Sequence, residues 1–154
     1  MTPDSENSVK KSIIVKQAVE RTFRLWTEQI RAWWPADHSL SGDPQTQVFI
    51  EGRVGGRFYE RASNGAEYVW GTVEVWEPPE RLAFTWYLGS SQALPSRVEV
   101  HFVPLEDNQT RIELEHRGPE LIGELWWSRK SIFNGAWERI LPRFGSFLTA
   151  QIEP

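Results

Sequence analysis

Residues 128–151 read SRKSIFNGAWERILPRFGSFLTAQ, and the fold follows from how their apolar side chains are spaced. Phe133, Ala136, Trp137, Ile140, Leu141, Phe144, Phe147 and Leu148 recur at intervals of three and four, which puts them on one broad stripe of a helix. Arg129, Lys130, Glu138, Arg139 and Arg143 fall mostly off that stripe. At 1.5 Å per residue, about 22 helical residues make a helix roughly 33 Å long. A buried side of that length, carrying three Phe and a Trp, needs a large apolar partner. The only candidate in the chain is a β-sheet over residues 46–117. Pro142 interrupts the pattern: it removes one hydrogen bond and crowds the preceding turn, so a kink is expected there.

The sheet is legible as strands separated by turn residues. Thr46 to Glu51 is short and β-prone, and Gly52, Gly55 and Gly56 bracket a turn. Arg57 to Arg61 is the next strand, closed by Asn64-Gly65 as a hairpin. Glu67 to Glu77 follows, with Val69, Gly71, Val73 and Val75 expected on one face, and Pro78-Pro79 stops it. Arg81 to Leu88 places Leu82, Phe84 and Trp86 together. Arg97 to Val103 does the same for Val98, Val100 and Phe102, and Thr110 to His116 for Ile112, Leu114 and His116. Such alternation marks an antiparallel sheet with one covered and one wet face. Upstream, Val9 to Lys16 reads as a first strand. Gln17 to Ile30 reads as a helix through Val19, Phe23, Trp26 and Ile30, and Ile30 to Trp34 as a second short helix ended by Pro35. Residues 1–8 read as a loose tail and 9–154 as a single domain.

Composition narrows the function classes. The net charge of −4 lacks the basic excess of a general nucleic-acid binder. The absence of cysteine excludes disulfides, thiolate metal sites and cysteine nucleophiles. No apolar run approaches a membrane span and residues 1–8 lack a signal-peptide core, so the default expectation is a cytoplasmic protein with no membrane partner. Nine Trp with eight Phe and three Tyr point to an aromatic core, an aromatic-lined pocket, or both.

Several segments stand in an order that resembles a known superfamily. They are Trp33-Trp34-Pro35, Val54-Gly55-Gly56-Arg57-Phe58, Gly71 through Pro79, Arg81-Leu82-Ala83-Phe84-Thr85-Trp86, Thr110-Arg111-Ile112-Glu113-Leu114, His116 and Gly135-Ala136-Trp137. That order resembles the SRPBCC (START-like) superfamily. Within it, the chain is similar to bacterial proteins resembling the C-terminal domain of the activator of heat-shock protein 90 ATPase. The resemblance covers about residues 9 to 150. It implies an α+β helix-grip fold in the order β-α-α-β-β-β-β-β-β-α, with a curved antiparallel sheet wrapped around the C-terminal helix. It also implies a cavity between sheet and helix for a hydrophobic ligand. The family's Gly-Trp pair is split here by Ala136, and Pro142 interrupts the helix. Both departures bear on the cavity floor.

Strand parity combined with the resemblance nominates a ligand-binding set: Phe58, Glu60, Trp86, Phe102, Leu114 and His116 from the sheet, opposite Phe133 and Trp137 from the helix. The expected ligand is a small hydrophobic or aromatic molecule held mainly by burial. The competing expectation is that these side chains meet and leave no void. His116 reads as a ligand hydrogen-bond partner, as a general acid/base of the kind a polyketide cyclase or dehydratase would use, or as a satisfied core residue. Glu60 reads as a ligand anchor or, if a bulge reverses its parity, as a surface residue. His38 and His101 read as exposed. Three histidines on separate elements lack metal-ligand spacing, and no phosphate loop, dinucleotide fingerprint or nucleophile elbow is present, so no catalytic residue, metal or cofactor is assigned. Trp126-Trp127 reads as a cavity lid, a homodimer contact, or the docking patch a chaperone partner would need.

Overall fold

The computed structural model describes residues 8–91, 94–118 and 125–152. The chain runs β1 (Ser8–Val15), α1 (Val19–Glu28), α2 (Ile30–Trp33), β2 (Gln47–Ile50), β3 (Arg57–Arg61), β4 (Glu67–Glu77), β5 (Arg81–Ser91), β6 (Leu94–Leu105), β7 (Gln109–Arg117) and α3 (Leu125–Ile152). All seven strands form one antiparallel sheet in the order β1-β7-β6-β5-β4-β3-β2. Strand β1 therefore crosses to the far edge and pairs with the last strand, Ser8 opposite Arg117 and Val15 opposite Thr110. Ser8, expected in the loose tail, is instead the buried first residue of this strand; residues 1–7 lie outside the described residues.

The helical spacing of Val19, Phe23, Trp26 and Ile30 directs α1 and α2 onto one end of the sheet. Trp34, the residue before Pro35, takes an extended conformation (φ −69°, ψ 130°) that ends α2. Helix α3 spans 28 residues, longer than its stripe alone suggested. Its stripe is inward as expected: Phe133, Trp137, Ile140, Leu141, Phe144 and Leu148 are buried. Pro142 lies inside the helix on its exposed side, where its missing N–H disturbs no packing. On the edge strand β1, the inward-facing Lys11 reaches Glu138 of α3 at 3.5 Å.

One parity expectation fails, in β4. Phe58 pairs with Gly71 but Tyr59 with Val69, and Val73 pairs with Phe84 but Val75 with Ala83. Two bulges, at Trp70 and at Glu74, therefore split the expected Val69-Gly71-Val73-Val75 face. Trp70 and Val73 turn into the core, while Val69 is 36% exposed. Gly71 is required at the first bulge, because a Cβ there would run into the carbonyl oxygen of Thr85. The convex face of the sheet is a lattice of ion pairs, including Arg97–Glu74 at 2.8 Å, Arg81–Glu99 at 3.0 Å and Arg111–Glu113 at 2.8 Å. His101 sits there too, beside Glu99 at 2.9 Å. No helix among the described residues is long and apolar enough to cross a membrane.

Candidate functional site

The concave side of the sheet is occupied mostly by aromatic rings in mutual contact. Trp34 stands at the centre, with ring centroids 5.7 Å from Phe58, 5.5 Å from Trp70, 5.9 Å from Trp86 and 6.0 Å from Trp137. A second group lies toward the α1 end, where Trp26 is 4.7 Å from Trp33, 5.0 Å from Phe144 and 5.8 Å from Phe102. Edge-to-face and tilted arrangements dominate both groups, as the ring quadrupole favours. The wide cavity implied by the resemblance is thus largely filled by tryptophan. Close packing has taken most of the space.

Among the described residues, a hollow lies on this side at the seam between β5 and α3. Its volume is about 90 Å³ and its lining is His38, Trp86, Ile132, Phe133, Ala136, Trp137 and Ile140. Three of the nominated residues, Trp86, Phe133 and Trp137, form its wall. Phe58 stands behind Trp86 at 5.5 Å, in the layer beneath. Phe102 belongs to the other aromatic group, against Phe23 at 5.1 Å, and Leu114 is buried core; neither lines the hollow.

His116 is fully buried beside the hollow, and both of its ring nitrogens are occupied. The Trp137 indole N–H donates to Nδ1 at 3.0 Å, so Nδ1 carries the lone pair and the proton sits on Nε2. Nε2–H then donates to Ser96 Oγ at 2.6 Å, and the Ser96 hydroxyl donates onward to the Trp86 carbonyl at 3.3 Å. Phe133 stacks on the imidazole with centroids 4.2 Å apart. Burial pushes the His116 imidazole down to about 3, so it is neutral at physiological pH. Each of its hydrogen bonds holds part of the cavity wall: Trp137 through one nitrogen, and the β5 backbone at Trp86 through Ser96. As a proton shuttle its lone pair is already spent.

Glu60 is also fully buried, contrary to its surface reading, and its carboxylate faces the loop that follows α2. Oε1 accepts from the backbone N–H of Leu40 and Ser41 at 2.9 and 2.8 Å, and Oε2 from the hydroxyls of Ser41 and Thr46 at 3.2 and 2.8 Å. Four donors on one carboxylate fix the loop across the open end of the sheet. Asp37 adds a tether to α3 through Arg139 at 2.8 Å, and that contact holds the Asp37 carboxyl below its ordinary range.

The same loop carries the residue that sequence reasoning misplaced. His38 reads as exposed in the sequence but is only part-exposed and lines the hollow. Its backbone N–H donates to the Pro35 carbonyl at 3.1 Å, closing a turn, and its own carbonyl accepts from the Trp34 indole at 2.9 Å. A core tryptophan thus pulls the loop inward. Desolvation lowers the His38 pKa, partly opposed by Asp37. Ile132, Ala136 and Ile140 were the other lining residues to find. Their spacing of four alongside Phe133 and Trp137 was the available signal. Among the described residues, no group of three or more His, Asp or Glu is placed to hold a metal ion.

The fold and this architecture agree with a family match. The model of the family described as activator of Hsp90 ATPase homolog 1-like protein matches residues 16–149. The chain belongs to that family. Solved members of the wider fold extend the match. An anthrahydroquino-gamma-pyrone synthase, Txn09, solved with a ligand designated SUM, is 34% identical, with a TM-score of 0.63 over 94% of this chain and 99% of that one. The self-sacrificing resistance protein CalC from Micromonospora echinospora is 24% identical, with a TM-score of 0.71 over 94% of this chain and 96% of that one. Protein NE0264 from Nitrosomonas europaea is 14% identical, with a TM-score of 0.69 over 98% of this chain and 99% of that one; at that identity it speaks to the fold alone. No curated protein matches the chain. The SRPBCC helix-grip assignment drawn from residue order is therefore correct.

Proposed function

We propose that this protein binds a small polycyclic aromatic molecule at the seam between β5 and α3. The observation that carries the reading is the hollow walled by Trp86, Phe133 and Trp137 with Ala136 at its floor. Two indoles and a phenyl ring, buried in this structure, would offer stacking faces once the wall parts, and Ala136, standing between Gly135 and Trp137, keeps the helix side shallow. A volume of about 90 Å³ is smaller than a ring system of three fused rings needs. Binding therefore requires the wall to part. Ile132, 53% exposed at the rim, is the side chain that can move with least loss of packing. The 34% identity to a protein named an anthrahydroquino-gamma-pyrone synthase supports a fused-ring ligand over a fatty acid or sterol.

Catalysis of ring closure on such a molecule is the second reading, favoured by the same identity to a synthase. Against a proton-transfer role for His116 in it stands the engagement of both ring nitrogens within the protein. The experiment is a titration of intrinsic tryptophan fluorescence and melting temperature against hydroxyanthraquinones, flavonoids, fatty acids and sterols. Saturable quenching with a raised melting temperature is expected for the fused-ring class, by linkage. Equal or absent responses across all classes would remove the reading. Product analysis with the class that binds then separates binder from enzyme.

A further inference from the structure

An aromatic wall supplies affinity but little orientation; orientation comes from a few placed polar atoms. Of the buried titratable side chains that adjoin the hollow or its loop, two are spent. His116 gives both nitrogens to Trp137 and Ser96, and Glu60 gives its carboxylate to the 40–46 loop. His38 is different. It lines the hollow, its Nε2 is shielded from solvent, and among the described residues nothing hydrogen-bonds to that atom. The indole nitrogens of Trp26, Trp33 and Trp70 are also buried without a partner, yet none of those residues lines the hollow. Folded proteins rarely leave such an atom unmatched, and one carried by a lining residue is within reach of a ligand once the wall parts.

The backbone that carries the imidazole is also held in place. The turn at Pro35–His38, the Trp34 indole on the His38 carbonyl, the Asp37–Arg139 tether and the Glu60 anchor all constrain its backbone. An imidazole carried on a constrained backbone beside packed rings needs little reorganisation to serve as a recognition element.

We propose that His38 is the specificity-determining residue of the site, its Nε2 hydrogen-bonding an oxygen substituent on the aromatic ligand. The inference rests on the ligand-binding reading above and deepens it: the ligand class becomes oxygenated fused-ring aromatics, quinones and phenols, rather than bare hydrocarbons. A neutral imidazole donates from Nε2 to a quinone carbonyl in one tautomer and accepts from a phenol in the other, so both oxygen types fit.

The test uses the full chain and two probes that share a ring skeleton, 1,8-dihydroxyanthraquinone and anthracene. Dissociation constants come from tryptophan quenching for wild type, His38→Phe and His38→Gln. Wild type should prefer the oxygenated probe. His38→Phe should cut that preference about tenfold while holding anthracene affinity within about twofold, and His38→Gln should restore part of it. An unchanged preference in His38→Phe overturns the role of His38 and leaves the ligand-binding reading standing. Equal weakening of both probes also overturns it, showing that the ring only shapes the wall. If wild type binds neither probe, the ligand-binding reading fails and this inference with it. The glutamine variant guards against misreading a loop disturbance, because its amide can reach an oxygen without an aromatic ring.

Discussion

Replacing His116 with Phe should erase a specific pH dependence of stability. The folded-state pKa is depressed from 6.5 to about 3, with burial as the cause. In the unfolded chain the imidazole takes up a proton near its ordinary value, whereas in the folded protein it does not until much lower pH. The contribution to stability is therefore complete above pH 6.5 and is lost progressively as pH falls toward 3. The full window is worth about 5 kcal/mol at 1.36 kcal/mol per pKa unit. Most of that lies at pH values where other groups also titrate. Between pH 7 and pH 5 alone, the same linkage gives a loss of about 2 kcal/mol from His116. The assay is urea unfolding followed by tryptophan fluorescence at pH 7, 6 and 5 for wild type and His116→Phe. The variant should start about 1–3 kcal/mol less stable at pH 7, because the Trp137 N–H loses its acceptor in a dry core. That gap should then narrow by about 2 kcal/mol at pH 5. Contributions from His38 and from the hydrogen-bonded carboxylates Asp37, Asp43 and Glu51 are common to both proteins and cancel. Parallel stability curves would refute the reasoning, since they would mean that His116 titrates alike in both states.

Four other substitutions probe the remaining framework. Trp137→Ala should destabilise by about 3–5 kcal/mol in chemical denaturation, since the indole is fully buried; a loss under about 1 kcal/mol contradicts its place at the centre of the core. Glu60→Gln turns one acceptor oxygen into a donor facing other donors. It should cost about 1–3 kcal/mol and speed amide exchange at Leu40 and Ser41 in hydrogen-exchange measurements. Pro142→Ala restores a backbone donor on the exposed side of α3. It should stabilise by about 1–3 kcal/mol, and a lower melting temperature would show that the proline fits a bend the fold requires. Ala136→Leu should fill the hollow, hold or slightly raise the melting temperature, and abolish fluorescence quenching by ring ligands.

How far the sequence reached differs between fold and site, for physical reasons. The α3 stripe and the alternation in β5, β6 and β7 are periodic, and periodicity survives as burial: Leu82, Phe84 and Trp86 are all inside. The β4 pattern misled because bulges at Trp70 and Glu74 each insert a residue, and a one-residue shift reverses parity. The site was only half legible. Trp86, Phe133 and Trp137 follow from parity, but whether facing aromatics leave space depends on how rings nest, which no spacing encodes. The loop partners of Glu60 and the place of His38 lay beyond reach for a shared reason. Each is defined by the 35–46 loop, whose course is set by the Trp34 indole and a buried carboxylate, both contacts made in three dimensions.

The most direct measurement is a two-dimensional ¹H–¹⁵N spectrum of the nine tryptophan indoles during titration with 1,8-dihydroxyanthraquinone. Binding at the seam between β5 and α3 predicts saturable shifts of the Trp86 and Trp137 indole signals, with Trp26 and Trp33 at the opposite end of the core unmoved. Shifts confined to the exposed Trp127, or no saturable shift at all, would contradict it.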